Sequence, residues 1–249
     1  MSGHSKWSTI KRQKGANDAK RGAMFTKVAR EIAVAARAGG GDPEANYRLR
    51  LAIDKARSIN MPADNIKRAI EKATGGGEAE QYEEIVYEGY GPGGIAVLVE
   101  AATDNRNRTA AEVRSVFTKS GGQLAGAGAV AWQFEQRGLV TVDRQTNDPD
   151  EIALAAIDAG AADVDTDADP IEIWTEASEL YAVRKALEDA GYKVEDAESA
   201  MVAKQTTVLE AEHFRKVMRI VESLEDLDDV QRVTTNADIP EELLAEFGG

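Results

Sequence analysis

Three consecutive glycines, Gly75 to Gly77, separate two different hydrophobic patterns in this chain of 249 residues. Before them, apolar residues recur every three or four positions, which predicts helices over about residues 18–38 and 43–59 and a third that begins near Pro62. After them, short segments alternate between the two-residue period of strands and the longer period of helices. We therefore expect an N-terminal helical domain followed by mixed α+β structure.

The part that follows the glycines predicts two α+β domains. The first group contains two strands, a helix and a further strand, at about residues 83–88, 95–101, 108–120 and 129–135. Residues 138–204 then show the order βαββαβ, which is that of ferredoxin-like folds. A helix over 211–224 and a strand over 230–235 are needed to complete the first group, so the ferredoxin-like segment is predicted to be an insertion.

The predicted fold class is therefore α+β multidomain. We expect a three-helix basic domain at residues 1–76 and an α+β domain formed by residues 77–136 plus 205–249. A βαββαβ domain at residues 137–204 is inserted in that second domain. Both α+β domains are expected to be of the ferredoxin-like type.

Cysteine does not occur in the sequence, and the two histidines are His4 and His213. This composition excludes disulfide frameworks, thiolate zinc sites, cysteine nucleophiles and iron–sulfur clusters, so no metal site and no cofactor is predicted. No apolar run approaches the ~18 residues that span a bilayer, so we expect a cytoplasmic protein with no membrane contact. Import into an organelle is the alternative, because the first 17 residues are basic and free of acidic side chains as in transit peptides.

Charge is distributed unevenly along the chain, whose net charge is -14. Residues 1–74 contain 16 Lys and Arg against 7 Asp and Glu, a net of +9, whereas residues 75–249 contain 14 against 37, a net of -23. This asymmetry favours a basic region that meets phosphate, attached to acidic regions that cannot. The alternative is an ordinary basic surface balanced by a solvating acidic remainder.

Lysine and arginine recur every three to four residues in the predicted helices, mostly away from the apolar stripe. Such a face can neutralise nucleic-acid phosphates, and an aromatic residue in a basic tail can stack on an unpaired base. Trp7 is the aromatic residue of that tail. For the two aromatic residues in the helices, the alternative to a nucleic-acid contact is packing in the core: we favour the core for Phe25, and we give the two alternatives equal weight for Tyr47. The predicted nucleic-acid contacts are Lys6, Trp7, Lys11, Arg12, Lys14, Lys20, Arg21, Lys27, Arg30, Arg37, Arg48, Arg50, Lys55, Arg57, Lys67 and Arg68.

A second polar cluster, TDNRNRT at Thr103 to Thr109, lies at a predicted strand-to-helix junction. Asn105 or Asn107 is expected to cap the helix. Arg106 and Arg108 are candidates for a separate contact with phosphate or carboxylate groups. The four residues Asn105, Arg106, Asn107 and Arg108 therefore form a possible second nucleic-acid patch.

Two motifs imitate ligand sites. Gly89 to Gly94 reads GYGPGG and matches G-x-G-x-x-G, but that motif needs a following helix, whereas IAVLVE reads as a strand. A hairpin turn with positive φ is predicted, with a ligand loop as the alternative.

Asp163 to Asp169 begins like a calcium-binding loop, but Ala168 stands at the sixth position, where such a loop has glycine, and Trp174 at the twelfth, where it has a bidentate glutamate. We therefore predict a strand with a solvated acidic face, and the alternative is weak, nonspecific binding of a divalent ion.

Neither histidine lies in a recognisable nucleophile elbow, and the carboxylates are too numerous for a catalytic pair to be singled out. A non-enzymatic protein is therefore predicted. The alternatives are an enzyme that acts between the α+β domains, with GYGPGG as a mobile loop, and a protein-interaction scaffold. Few Asn or Gln residues share the basic stripe of the first helix, which favours recognition of backbone or shape over base reading.

Several long segments occur in order along the chain: GHSKWSTIKRQKGANDAKRGAMFTKVAREI, NYRLRLAIDKARSINMPADNIKRAIEKATG, YEGYGPGG, TDNRNRTAAEVRSVFTKSGG and GAVAWQFEQRG. In these segments the chain resembles the YebC/PmpR family over essentially its whole length. The resemblance implies a helical domain and two α+β domains in a crescent with a cleft, and no enzymatic reaction. It also implies phosphate contacts at Lys6, Lys11, Lys14, Lys20, Arg21 and Lys27.

Members of that family are described as probable transcriptional regulators that bind DNA, and others associate with the ribosome and assist translation. The function expected first is a DNA-binding transcriptional regulator. The close alternative is a translational activator that binds ribosomal RNA. The expected partners are therefore DNA or ribosomal RNA, with the ribosome in the second case, and the sequence leaves the oligomeric state open.

Overall fold

The computed structural model describes residues 18–75, 82–144 and 147–238. The chain divides into two compact units. The first unit extends to Phe134 and resumes at Ala203, and the second is Glu135–Val202. Both contain helices and antiparallel sheet, which confirms the predicted mixed α+β class. The division of the first unit into a helical domain and an α+β domain stays a prediction.

Seven α-helices and ten strands occur within the described ranges. The helices are α1 (Asp18–Gly39), α2 (Tyr47–Ser58), α3 (Ala63–Thr74), α4 (Arg106–Lys119), α5 (Pro149–Asp158), α6 (Leu180–Asp189) and α7 (Ala211–Glu225). The strands are β1 (Glu83–Tyr90), β2 (Ala96–Thr103), β3 (Gln123–Leu124), β4 (Phe134–Val142), β5 (Asp163–Asp165), β6 (Ile171–Glu176), β7 (Val194–Ala203), β8 (Thr207–Val208), β9 (Val230–Thr235) and β10 (Ala237–Asp238).

The helical region, α1 to α3, forms a small core of its own. Val28 and Ile32 on α1 pack with Leu49 and Ile53 on α2 and with Ile66 on α3, and all five are buried. These are apolar residues at helical spacing, so the predicted inward faces are confirmed. Burial of such side chains contributes about 1.5–3 kcal/mol each to the free energy of folding.

The start of α2 differs from the sequence prediction, because the helix begins at Tyr47 rather than near residue 43. Asn46 is its N-cap, and its Oδ1 accepts a hydrogen bond from the backbone N–H of Leu49 at 3.1 Å. The side-chain amide of Asn46 donates to the carbonyls of Ala35 and Gly40, both at 2.8 Å. One buried side chain therefore caps α2 and joins it to the end of α1.

The first unit contains a four-stranded sheet with strand order β3-β1-β2-β9. β1 and β2 form an antiparallel hairpin in which Tyr90 is opposite Ala96. The turn between them is a short 3-10 segment, Pro92–Gly94, and Gly93 and Gly94 have φ of 77° and 76°. The predicted hairpin turn with positive φ is therefore confirmed.

Helices α4 and α7 cover this sheet. Their side chains Phe117 and Phe214 pack with Val97 and Val99 of β2 in one buried cluster. The remaining strands of the first unit, β8 and β10, form a separate parallel pair. Since α7 and β9 follow the second unit in sequence, the chain returns to complete the core that it began before residue 135.

The second unit has a sheet with strand order β5-β6-β4-β7, and β4 and β5 are both antiparallel to β6. With α5 and α6 in the connections, this is the βαββαβ order that the sequence predicted. Buried side chains from strands and helices, Val140, Ile173, Ile152, Val183 and Leu187, form its interior.

Two predicted strands have different bounds. The strand expected at 129–135 is a 3-10 turn at Ala131–Gln133, after which β4 runs without a break from Phe134. β5 ends at Asp165, whose side chain accepts hydrogen bonds from the backbone N–H groups of Asp167 (3.1 Å) and Ala168 (3.2 Å) and so starts a turn.

Two negative findings apply to the described ranges. No group of three or more His, Asp or Glu side chains there is placed to hold a metal ion. None of the seven helices has the length and apolar character that a membrane crossing requires.

The hairpin is tightly packed at Gly89, so Gly89→Ala is expected to destabilise the protein. A Cβ there would lie 2.5 Å from Cε1 of Phe117 and 2.7 Å from the carbonyl oxygen of Gln123. Overpacking of this kind lowers the free energy of unfolding by about 1–3 kcal/mol. Chemical denaturation measures the loss, and Gly126→Ala, where a Cβ meets nothing within 4 Å, is the control. Equal stabilities of the two variants would contradict the packing.

Candidate nucleic-acid interface

Several cations of the helical region face solvent. Arg37, in the last turn of α1, is exposed and has no carboxylate partner within the described part of the chain. The side chains of Arg57 and Lys67 are 71% and 75% exposed, and their ion pairs with Asp54 (3.3 Å) and Glu71 (3.7 Å) lie within single helices. Exposed pairs contribute at most about 1 kcal/mol, so these cations are available to an external anion.

Other cations of the helical region stabilise its own fold. Arg50 donates from Nε to the carbonyl of Pro43 and from Nη2 to the carbonyl of Glu44, both at 3.0 Å. Lys55 on α2 forms an ion pair with Glu31 on α1 at 2.8 Å. These contacts fix the connection before α2 and the packing of α2 on α1.

Three further cations connect the helical region to the rest of the first unit. Arg48 forms two hydrogen bonds with the carboxylate of Glu84 in β1, and this contact raises the pKa of the Arg48 guanidinium. Lys27 donates to the carbonyl of Glu225 at the end of α7. The third is Arg30, which reaches a buried carboxylate.

That carboxylate belongs to Asp229, which directly precedes β9 and is 2% exposed. It pairs with Nη1 of Arg30 at 3.0 Å and with Nη2 of Arg108 at 2.6 Å. The hydroxyl groups of Thr103 and Thr109 donate to it at 3.0 and 2.6 Å. The Asp229 junction therefore connects α1, the end of β2, α4 and the start of β9.

The environment of Asp229 keeps it ionised. Burial alone would raise the pKa of its carboxyl, but the hydrogen bonds from the two threonines and Arg108, with the charge of Arg30, lower that pKa below its ordinary value of 3.8. The hydrogen bond to Asp229 likewise raises the pKa of Arg108. The guanidinium of Arg30 also lies 5.5 Å from the ring centroid of Tyr82, within the range of cation–π attraction.

The second polar cluster has mainly internal contacts. Asn105 is the N-cap of α4, and its Oδ1 accepts a hydrogen bond from the backbone N–H of Arg108 at 3.1 Å, as the capping interpretation expects. Arg106 forms an ion pair with Glu83 at 3.5 Å, while Arg108 binds the Asp229 junction. Asn107 lies exposed in the first turn of α4. Both arginines thus meet carboxylates of this chain.

The structure places the other predicted residues as follows. Arg68, on α3, is exposed and donates to Oδ1 of Asn65 at 3.0 Å within its own helix. Lys20 and Arg21 lie in the first turns of α1, and their side chains are outside the described residues. The predicted contacts in the N-terminal segment, which are also outside the described residues, are Lys6, Trp7, Lys11, Arg12 and Lys14.

The sequence reasoning did not single out Trp132, whose side chain is the most prominent exposed aromatic group among the described residues, at 68% exposure. The buried carboxylate of Glu88 fixes the preceding loop by accepting hydrogen bonds from the backbone N–H groups of Gly128 (2.6 Å), Val130 (2.7 Å) and Ala131 (2.7 Å). Burial would raise the pKa of Glu88, but these three donors lower it. The sequence predicted a strand over residues 129–135, so the ordered turn that exposes Trp132 was not expected.

Two family models match the chain. The model described as the TACO1/YebC protein N-terminal domain matches residues 5–76, and that of the TACO1/YebC second and third domain matches residues 82–237. The chain belongs to the TACO1/YebC family. The first TACO1/YebC model ends at residue 76, so the boundary between the two falls at the glycine run that separates the hydrophobic patterns.

Curated relatives and a solved structure agree with this membership. Proteins named "Probable transcriptional regulatory protein" from Roseiflexus castenholzii and Rubrobacter xylanophilus are 55% and 54% identical to this chain, covering 99% and 100% of both sequences. The crystal structure of a conserved hypothetical protein from Aquifex aeolicus is 47% identical and superposes with a TM-score of 0.84, covering 90% of this chain and 92% of that one. These relatives match the TACO1/YebC chain over nearly its whole length.

Removal of the charge at the Asp229 junction is expected to destabilise the first unit. Asp229→Asn leaves Arg30 and Arg108 without their shared anion, which costs about 3 kcal/mol of unfolding free energy. The neighbouring Asp228→Asn makes the same chemical change at an exposed position and should cost less than about 0.5 kcal/mol. Urea denaturation of both variants at neutral pH tests this, and equal stabilities would contradict the assigned role.

The same junction predicts a pH dependence of stability. The folded pKa of Asp229 lies below its ordinary value, so its contribution is fully present above about pH 4 and is lost as pH falls through the folded pKa. Acid should therefore reduce the stability of the natural protein more than that of Asp229→Asn. A parallel decrease in both proteins on acidification through that range, measured by denaturation at each pH, would refute this.

Proposed function

We propose that this protein is a non-enzymatic, cytoplasmic regulator of gene expression that binds DNA through the exposed cations of its N-terminal region. The observation that carries the proposal is the separation of charge. Residues 1–74 have a net charge of +9 and residues 75–249 have -23, so the N-terminal part is the one whose net charge attracts a polyanion. The names of the curated relatives, probable transcriptional regulatory proteins, support the regulatory role.

The contacts in the helical region refine which cations carry the binding. Four cations face solvent: Arg37, Arg57, Lys67 and Arg68. Among the described residues, Arg37 has no carboxylate partner, and the other three contact carboxylate or amide side chains only in exposed pairs within their own helices. Arg30, in contrast, is bound to the buried Asp229. We assign the solvent-facing group to phosphate contacts and Arg30 to holding the helical region on the sheet.

Recognition of the backbone fits this region better than base reading. Neither α1 nor α2 contains an Asn or a Gln, the side chains that pair with adenine edges, and α3 contains only Asn65. Lysine and arginine contacts to phosphate fix position without reading sequence. Binding should therefore depend strongly on salt and weakly on nucleotide sequence.

The described carboxylates with lowered pKa support a non-enzymatic role. Glu88 is occupied by three backbone donors, and Asp229 is occupied by two arginines and two threonines. Both groups thus bind donors of the fold itself. A perturbed carboxyl that serves catalysis would instead face a cleft where substrate reaches it.

A second candidate, a ribosome-associated translation factor that binds ribosomal RNA, is favoured by Trp132. Structured RNA offers unpaired bases that stack on exposed aromatic side chains. Trp132 is 68% exposed, and its indole N–H donates to the carbonyl of Ala129 at 3.1 Å, which orients the ring. Such a platform suits loops and bulges of RNA better than stacked duplex DNA.

The charge model predicts a specific decrease in affinity. Arg37→Gln, Lys67→Gln and Arg68→Gln together should weaken binding uniformly across sequences and lower the slope of log K against log salt by about one unit for each phosphate that is no longer neutralised. Deletion of residues 1–17 should act in the same direction. Fluorescence anisotropy with two duplexes of unrelated sequence measures both quantities.

The matched control carries the same reduction of charge on exposed lysines far along the sequence: Lys185→Gln, Lys193→Gln and Lys204→Gln. We expect this variant to bind as the natural protein does. If the two triple variants show the same decrease in affinity, only net charge matters and the proposed interface is wrong.

The choice between DNA and ribosomal RNA is tested in cells. Crosslinking with sequencing of the bound nucleic acid, together with sedimentation of ribosomes in low and high salt, should recover DNA and show no association with ribosomes if the first proposal holds. Discrete ribosomal-RNA crosslinks with salt-sensitive co-sedimentation, weakened by Trp132→Ala, would instead establish the translation factor.

A further inference from the structure

A cavity of about 470 Å³ lies in the first unit, at the turn of the β1–β2 hairpin. Its walls are the turn residues Pro92 and Gly93, the end of α4 at Lys119–Gly121, and three residues of α7. In the hairpin register, Tyr90 and Ala96 form the end next to this cavity, while Thr103 lies at the opposite end with the Asp229 junction. The cavity is therefore separate from the contacts between the helical region and the sheet.

Helix α7 contributes three side chains with nitrogen donor groups: His213, Lys216 and Arg219. They are spaced three residues apart, so each is adjacent to the next on the helix surface. Lys119, at the end of α4, adds a further cation to the wall. Three cations and one histidine thus line the cavity, although residues 75–249 have a strongly negative net charge.

The basic side chains of the cavity have few and weak internal partners. Within the described ranges, neither Lys119 nor Arg219 has a carboxylate at ion-pair distance, and both are exposed. Lys216 meets Glu212 at 3.4 Å, and Nδ1 of His213 lies 4.0 Å from Glu210. Glu210 and Glu212 are more than three-quarters exposed, so these pairs are weak and yield to a stronger anion.

The hairpin turn is built to approach α7 closely. Gly93 has φ of 77°, and a Cβ at this position would lie 3.2 Å from Cγ of His213. A side chain there would occupy the space between the turn and the imidazole. The glycine-rich motif therefore forms part of a cavity wall, although no helix follows it.

We propose that this cavity binds the phosphate group of a nucleotide. Lysine and arginine around one concave site match the charge and the several acceptor oxygens of a phosphate group, and Ser120 adds a neutral donor. The volume lies within the range of small-ligand sites, about 300–1,000 Å³. The nucleotide is either a free one or one in a nucleic-acid strand, and the second case rests on the proposed function.

The test uses the full chain and compares Arg219→Gln and Lys119→Gln with Arg215→Gln. Arg215 lies on the same helix, is exposed and does not line the cavity, so its substitution removes the same charge. Calorimetric titration with ATP probes the free nucleotide, and anisotropy with a single-stranded RNA oligonucleotide probes the strand. For the probe that occupies the cavity, we expect binding to weaken about tenfold in each cavity variant and to be unchanged in Arg215→Gln.

The two probes separate the outcomes. A decrease in ATP affinity confined to the cavity variants supports the proposal with a free nucleotide as ligand, and a decrease confined to the oligonucleotide supports it with a strand. If Arg219→Gln and Arg215→Gln have the same affinity for ATP and the same affinity for the oligonucleotide, the proposal is overturned. If the natural protein binds neither a DNA duplex nor the RNA oligonucleotide at low salt, the proposed function fails, while the ATP titration still decides about the cavity.

Discussion

The carboxylate of Asp229 lies directly before β9, and it accepts hydrogen bonds or ion pairs from side chains of α1, β2 and α4. Arg30 reaches it from the helical region, Arg108 from α4, and Thr103 from the end of β2. A buried carboxylate without these donors would be strongly unfavourable, so the four elements stabilise the charge only when they are assembled. This junction, together with the contacts of Arg48 and Lys27, joins the helical region to the rest of the first unit.

The positive charges of this chain therefore have two distinct uses. Arg30, Arg48 and Lys27 bind acceptors on the sheet or on α7, and they join the helical region to the rest of the first unit. Arg37 and Lys67 face solvent. The electrostatic attraction of the N-terminal part for phosphate is a property of its net charge, but the side chains that a nucleic acid meets are those that the fold leaves exposed.

The GYGPGG turn and the cavity beside it bring together residues that are far apart in the sequence. The turn at Gly93 and the cavity cation Arg219 are separated by the whole second unit in sequence, yet both lie in the first unit. The chain leaves the first sheet after Phe134 and returns at Ala203 to supply α7. A cluster of cations thus forms in a part of the chain that the sequence describes as acidic.

Much of the local structure follows from the sequence by itself. The hydrophobic period determined the three N-terminal helices and the βαββαβ unit, and the positive-φ turn followed from the glycines of GYGPGG, because these patterns act over a few residues. Charge segregation, likewise, is visible without coordinates. The prediction of the segment before β4 failed because a distant group decides there: the loop that leads into the 3-10 turn is held by Glu88, more than forty residues earlier. The start of α2 was predicted too early because the N-cap is Asn46, whose side chain also binds the carbonyls of Ala35 and Gly40. Tertiary structure alone decided that Arg30 meets Asp229 while Arg37 stays exposed, since pairing depends on which residues folding brings within a few ångströms, and sequence spacing carries no such information across 199 residues.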